Sequence, residues 1–142
     1  MATRLIKSSV KAVFVTGAKP SQSDFSNFVD ASVLPIMDVV VDSSAAVATD
    51  ASLADIFRIT LAESVVLSNP TNAVDGQACT YWIEQGGTGS NIVTLDTKFV
   101  IPASASPLVW STTVGSLDML SVRYDAGKDK FYVISFIPGY NI

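Results

Sequence analysis

The spacing of apolar side chains changes period once along the chain, near residue 35. Before that point Phe25, Phe28, Val29 and Val33 fall at i, i+3, i+4 and i+8, which is one stripe of a helix. Pro20 and Ser21 open this helix. Ser21 with Asp24 three residues on resembles a capping box, with Asp in place of Glu. Asp24 in the first turn favours the helix dipole, and Pro35 ends the element. Residues 12–16, AVFVT, predict a short strand ahead of the helix, and Gly17 turns the chain.

After residue 35 the pattern is that of strands. Residues 36–41 are rich in β-branched side chains, and residues 43–52 are small and polar, a strand edge or a loop. Phe57, Ile59 and Leu61 alternate with Arg58 and Thr60, which marks a half-buried strand. Residues 65–67 follow, stopped by Asn69-Pro70. In the strand over residues 78–85, Trp82 lies on one face and Tyr81 and Ile83 on the other. Gly86-Gly87-Thr88-Gly89 predicts a hairpin turn with residues 92–95 returning from it. Residues 99–101 form a short strand closed by Pro102, and residues 103–107 a loop. Residues 117–124 and 131–137 flank a second hairpin, DAGKD. Roughly seven to nine short strands with regular turns predict a mainly β fold. The expected form is an antiparallel β-sandwich or jelly-roll-like barrel with one short N-terminal helix. Residues 1–35 read as a basic arm plus capped helix for assembly and anchoring, and residues 36–142 as the β-sandwich body.

Composition sharpens this picture. The 142 residues are 49% apolar with a mean hydropathy of +0.40, and only 15% are charged. An average globular domain has roughly 25% charged residues. No apolar run approaches the roughly 20 residues of a spanning helix, so no membrane is implied. The surplus fills a full core or covers subunit interfaces, which are apolar and poor in charge. An oligomer is the expectation. Arg4, Lys7, Lys11 and Lys19 precede the first acid, Asp24, so the first 23 residues carry +4. The remainder holds five basic and thirteen acidic residues, a net of −8. The N-terminus is then either a solvated tail or a basic arm for an acidic neighbour surface. An acidic body repels phosphate, which argues against nucleic acid as a partner. The apolar run at residues 12–15 is too short for a signal-peptide core, so synthesis in a cytoplasm without export is expected. The single cysteine, Cys79, allows no internal disulfide and reads as a small buried hydrophobe.

The chain has no histidine, which removes Ser-His-Asp and Cys-His nucleophiles and the HExxH zinc site. GGTGS lacks a lysine and lies between strands, so it reads as a turn and not a phosphate loop. Asp38, Asp42, Asp50 and Asp55 are the only material for a carboxylate mechanism or a calcium site, and no DxDxDG loop is present. Solvated acids are the plainer reading, so no catalytic residue, metal or cofactor is assigned. Trp82 and Trp110 could stack on a sugar ring, although aromatic residues in a β-sandwich are more often core. Tyr140, in the Pro138-Gly139-Tyr140 tail, is the best exposed aromatic for a subunit contact.

Two stretches resemble known proteins. Residues 14–30, FVTGAKPSQSDFSNFVD, resemble an N-terminal module of tailed-phage virion proteins. Residues 69–102, with an NP turn, DGQ, an alternating strand, GTGS and F-x2-P, resemble a β-module of phage tail-fibre and virion-surface proteins. The strand from Ser116 and the Tyr124-Asp125 hairpin fit the same module. The resemblance implies a structural protein of the virion, commonly a homotrimer, without enzymatic activity. Its implied partners are sister copies and the major capsid protein or tail proteins of the particle. The short chain favours a capsid cement or decoration knob over a long fibre. The alternative is a tail-fibre, spike or adaptor protein with a carbohydrate-binding β-module. On the cement reading, Arg4, Lys7 and Lys11 face acidic shell residues, and Phe14, Phe25, Phe28, Val29, Val33 and Tyr140 form interfaces.

Overall fold

The computed structural model describes residues 19, 21–23, 36–40 and 46–141. Among these the fold is mainly β, built on two sheets that curl into a half-barrel, sandwich-like body. The strands are β1 (Ile36–Val40), β2 (Ala46–Val47), β3 (Ile56–Leu61), β4 (Val65–Leu67), β5 (Ala78–Gln85), β6 (Val93–Leu95), β7 (Phe99–Val100), β8 (Ser116–Asp125) and β9 (Lys130–Asn141). The larger sheet has the order β1-β3-β5-β8-β9-β7, and the smaller β2-β4-β6. Up to β6 the chain therefore visits the two sheets in turn. Each strand lies parallel to the one a full circuit earlier, as in Ile36↔Ile56↔Thr80 on one side and Val47↔Leu67↔Leu95 on the other. Three such coils stack, and the β8–β9 hairpin then extends the large sheet in antiparallel fashion.

Period-2 alternation decides which side chains line the interior. In β3 Phe57, Ile59 and Leu61 are buried while Arg58 and Thr60 are exposed, and in β5 Cys79, Tyr81, Ile83 and Gln85 are buried. Leu120 and Val122 of β8 and Phe131 and Val133 of β9 complete this wall, facing Val47, Val65, Leu67 and Val93 of the small sheet. Aromatic rings run through the core in contact order. Phe57 stacks on Tyr81 (centroids 5.5 Å apart), Tyr81 meets Phe99 edge-on (6.4 Å), and Phe99 meets Phe131 (5.6 Å).

The mainly β, two-sheet body agrees with the sequence. The direction of pairing does so only in part, because antiparallel ladders are confined to β5–β8–β9. Alternation of side chains is the same in parallel and antiparallel strands and cannot distinguish them. The GGTG turn is also not a hairpin. It carries the chain from β5 in one sheet to β6 in the other, and β6 pairs with β4. Gly89 has φ +72°, and a Cβ there would stand 2.6 Å from the Thr112 carbonyl oxygen. A Cβ on Gly86 would lie 2.7 Å from the Leu61 carbonyl oxygen. Close backbone approach, and not hairpin geometry, is what these glycines permit. Buried Gln85 holds the corner. Its Nε2 donates to the Asn91 carbonyl (2.7 Å), and its Oε1 accepts from the Asn91 amide (3.1 Å).

Of the predicted N-terminal helix, Gln22 and Ser23 have helical backbone, and the Ser21 and Ser23 hydroxyls are 2.7 Å apart. Arg4, Lys7, Lys11, Phe14, Asp24, Phe25, Phe28, Val29 and Val33 lie outside the described residues.

The DAGKD hairpin forms where expected, with Asp129 at φ +51°. Lys98 Nζ sits 2.8 Å from both Asp129 carboxylate oxygens, and the Tyr124 hydroxyl donates to Oδ1 at 2.9 Å. The Lys98 bond, then the Tyr124 bond, hold the Asp129 carboxyl below its usual range, and the same Asp129 bond raises Lys98. A depressed acid stabilises above its unfolded pKa and loses that contribution as pH falls through the folded value. Asp129→Asn keeps a residue tolerant of positive φ and removes the charge. The melting-temperature gap between wild type and this variant should therefore be open at neutral pH. It should close as pH drops from about 4 towards the lower folded value. A gap that stays constant down to acid would show that the pair contributes nothing through its charge.

Candidate functional site

From the end of β7 the chain runs as a strap, residues 101–111, between the β6 edge of the small sheet and the β9 strand of the large one. Pro102 leads into a single 3₁₀ turn, Ala103–Ala105, and Pro107 follows. Ile101, Leu108 and Trp110 pack against the core, with Trp110 edge-on to Phe136 at 4.7 Å. Asp118, a buried carboxylate in β8, ties this strap to β9. Its Oδ2 accepts from the Ser111 amide (2.8 Å) and its Oδ1 from the Gly139 amide (2.9 Å).

An open groove follows each side of the strap. One, about 300 Å³, lies between Pro107, Leu108 and Val109 and the β9 residues Val133, Ile134 and Phe136. The other, about 340 Å³, lies between Leu108 and Trp110 and the β6 edge from Ile92 to Leu95. Each groove borders backbone with no ladder partner among the described residues. β6 pairs only with β4, and β9 beyond Tyr132 pairs only with β8. Edges of this kind are ordinarily guarded by charge. Here residues 86–95, 99–117 and 131–142 contain no Asp, Glu, Lys or Arg at all. The large exposed side chains include Val109 (75% exposed), Ile134 (64%) and Ile92 (59%), interspersed with the uncharged Thr94, Ser106 and Ser135. On the outer face of the large sheet Trp82, Met119 and Ile137 stand in one row and Leu117 and Tyr140 in the next. The seam thus continues onto Leu117 and Met119 of β8 and is bounded at β5 by Glu84, the partner of Leu117, and by Arg58 over Trp82.

Tyr140, predicted as an exposed contact residue, is 42% exposed on this surface. Trp82 and Trp110 are not brought together. Trp82 is half-buried on the outer face of β5 under the Arg58 guanidinium, 5.6 Å from the ring, whereas Trp110 packs inward on Phe136. They form no common stacking platform. Of the carboxylates considered for catalysis or calcium, Asp50 accepts from Ser52 and Asn72, and Asp55 from Gln77, while Asp42 and the Asp38 side chain lie outside the described residues. Among the described residues no group of three His, Cys, Asp or Glu converges on a metal position. Cys79 is buried, as its strand pattern predicts. The seam itself was missed. The signal available was the run of residues 99–117 without a charge, read as strand and loop and not as surface. Comparison of the chain with family models, curated proteins and solved structures finds no match.

Proposed function

We propose that the protein is a non-enzymatic structural protein of a tailed-phage virion, a homotrimeric cement or decoration knob that binds and stabilises the capsid shell. The observation that supports this reading is the charge-free apolar seam formed by β6, the strap and β9. An exposed, contiguous apolar surface of this kind marks a place where protein meets protein. The sequence resemblance to virion-surface modules supports the setting. Each apolar side chain removed from water contributes roughly 1.5–3 kcal/mol, and repetition over three copies adds avidity. The basic residues Arg4, Lys7 and Lys11 supply the arm contacts to the shell.

The test is localisation of the protein in images of the intact particle. Density on the capsid at sites of three-fold symmetry is the expected result. Density confined to the tail would favour the fibre or adaptor reading, and absence from the particle would end both. The half-open Trp82 ring favours a carbohydrate-binding tail module as the alternative, although Arg58 already covers one face of that ring.

A further inference from the structure

We infer that the strap is a cleavage site for an endopeptidase with a narrow specificity pocket, cut at Ala103–Ser104 or Ala105–Ser106. The cut leaves both pieces in one folded body and puts the first charges on the seam. This inference does not depend on the assembly reading above.

A protease needs a stretch of backbone that can leave its place and lie extended in the active-site cleft. Residues 102–107 are the longest run of consecutive exposed residues among those described. Among the described residues, residues 102–110 make a single hydrogen bond, from the Ala105 amide to the Pro102 carbonyl (2.9 Å), and none to another part of the molecule. That bond closes the 3₁₀ turn. The residues on either side of the turn, Pro102 (ψ 140°) and Ser106 (ψ 135°), are already extended. The strap is held by the packing of Ile101, Leu108 and Trp110, which flank this stretch. Opening residues 102–107 therefore breaks one local bond and uncovers no buried side chain.

The other exposed turns are tied to neighbouring elements. In the DAGKD hairpin the Ala126 amide donates to Asp75, and Asp129 accepts from Lys98 and Tyr124. In the loop before β5 the Thr71 amide donates to Thr49, Asn72 to Asp50, and the Gly76 amide to Tyr124. At the β5–β6 corner the Ser90 amide donates to Thr112. Opening any of these breaks hydrogen bonds between elements and so costs more than opening the strap.

The side chains set the class of enzyme. Residues 99–117 contain no Lys or Arg, so an enzyme with an acidic pocket has nothing to bind there. Ala103 and Ala105 fit a pocket closed to larger side chains. Water is the co-substrate: the C–N bond breaks, the alanine keeps a carboxylate and the serine gains an ammonium. The pieces stay together because the β5–β8 ladder, from Ala78↔Arg123 to Glu84↔Leu117, and the β7–β9 pairs join residues on the two sides of the cut. Ala105 lines the groove beside β9 with Pro102 and Pro107. The new charges thus stand at the mouth of a groove whose lining carries none.

The experiment digests the native full chain with a trace of pancreatic elastase and follows the masses over time. The first C-terminal fragment from a cut within residues 46–141 should begin at Ser104 or Ser106. Its start is unaffected by any trimming ahead of residue 46. The cut protein should elute with the intact chain in gel filtration, keep its circular dichroism spectrum and separate into two pieces only in urea. A first cut elsewhere in residues 46–141, no cut there at all, or pieces that part without denaturant would overturn the proposal. Ala103→Lys, at an exposed position, gives a second readout with a different enzyme. Trypsin should cut this variant after residue 103 about tenfold faster than after Arg58, Lys98, Arg123, Lys128 or Lys130 of the same chain. Cleavage after residue 103 that is no faster than at those sites would overturn the proposal.

Discussion

Replacing Asp118 by alanine should destabilise the fold by about 3 kcal/mol and release the strap from β9. Asp118 is a buried carboxylate whose two oxygens accept two backbone amides, Ser111 at 2.8 Å and Gly139 at 2.9 Å. Ser111 lies outside the strands, and Gly139 sits at the irregularity of the β8–β9 ladder between the Met119–Ile137 and Leu117–Tyr140 pairs, where the Asp118 carboxylate is the acceptor of its amide. A buried N–H left without a partner costs roughly 1–3 kcal/mol, and there are two. Asp118→Asn should cost less, because its carbonyl still serves one amide while its NH₂ opposes the other. Urea unfolding checks the order wild type, Asn, Ala. Trp110 emission, read in a Trp82→Phe background, should shift to the red in the alanine variant before global unfolding. An alanine variant as stable as wild type would mean that water satisfies both amides and that the strap is held by Leu108 and Trp110 alone.

Tyr81→Ala should be the most damaging single change in the core, at about 4 kcal/mol. The ring is fully buried, stacks on Phe57 at 5.5 Å and meets Phe99 edge-on at 6.4 Å. Its removal breaks the aromatic row between the coils and the strands on the far side of the sheet. Its hydroxyl contributes little, because the Thr49 contact is long at 3.4 Å. Burial, first of all, pushes the phenol pKa up, so the ring stays neutral through the ordinary pH range. Tyr81→Phe should therefore cost under about 1 kcal/mol. Equal losses in the two variants, measured by thermal or urea unfolding, would assign the stability to the hydroxyl and refute the packing argument.

The pattern of residues was legible where one physical rule acts alone. Alternation in residues 57–61 and 78–85 marks which side chains are buried, because one face of each strand meets water and the other does not. The DAGKD hairpin was legible because turn chemistry and two flanking apolar runs agree. The coil arrangement was not, since a glycine-rich corner between sheets and a hairpin ask the same of φ. Gln85, Asn91 and Asp118 were not legible as interior residues, because polar side chains are expected outside until their backbone partners are known. The edge that shapes the candidate site is a property of strand order. No local window of sequence contains it.

The stacked coils also set how this body can vary in size. Ile36 and Ile56 are partners 20 residues apart, and Ile56 and Thr80 are partners 24 apart. A circuit of that length inserted in the β3–β4 connection near Ala62 would add one rung to both sheets at once. Strand spacing fixes the gain at about 4.8 Å per circuit. An insertion of half that length would leave a strand in one sheet with no counterpart in the other. Lengths compatible with this architecture therefore come in steps of a whole circuit, and the seam at the other end keeps its shape while the stack behind it grows.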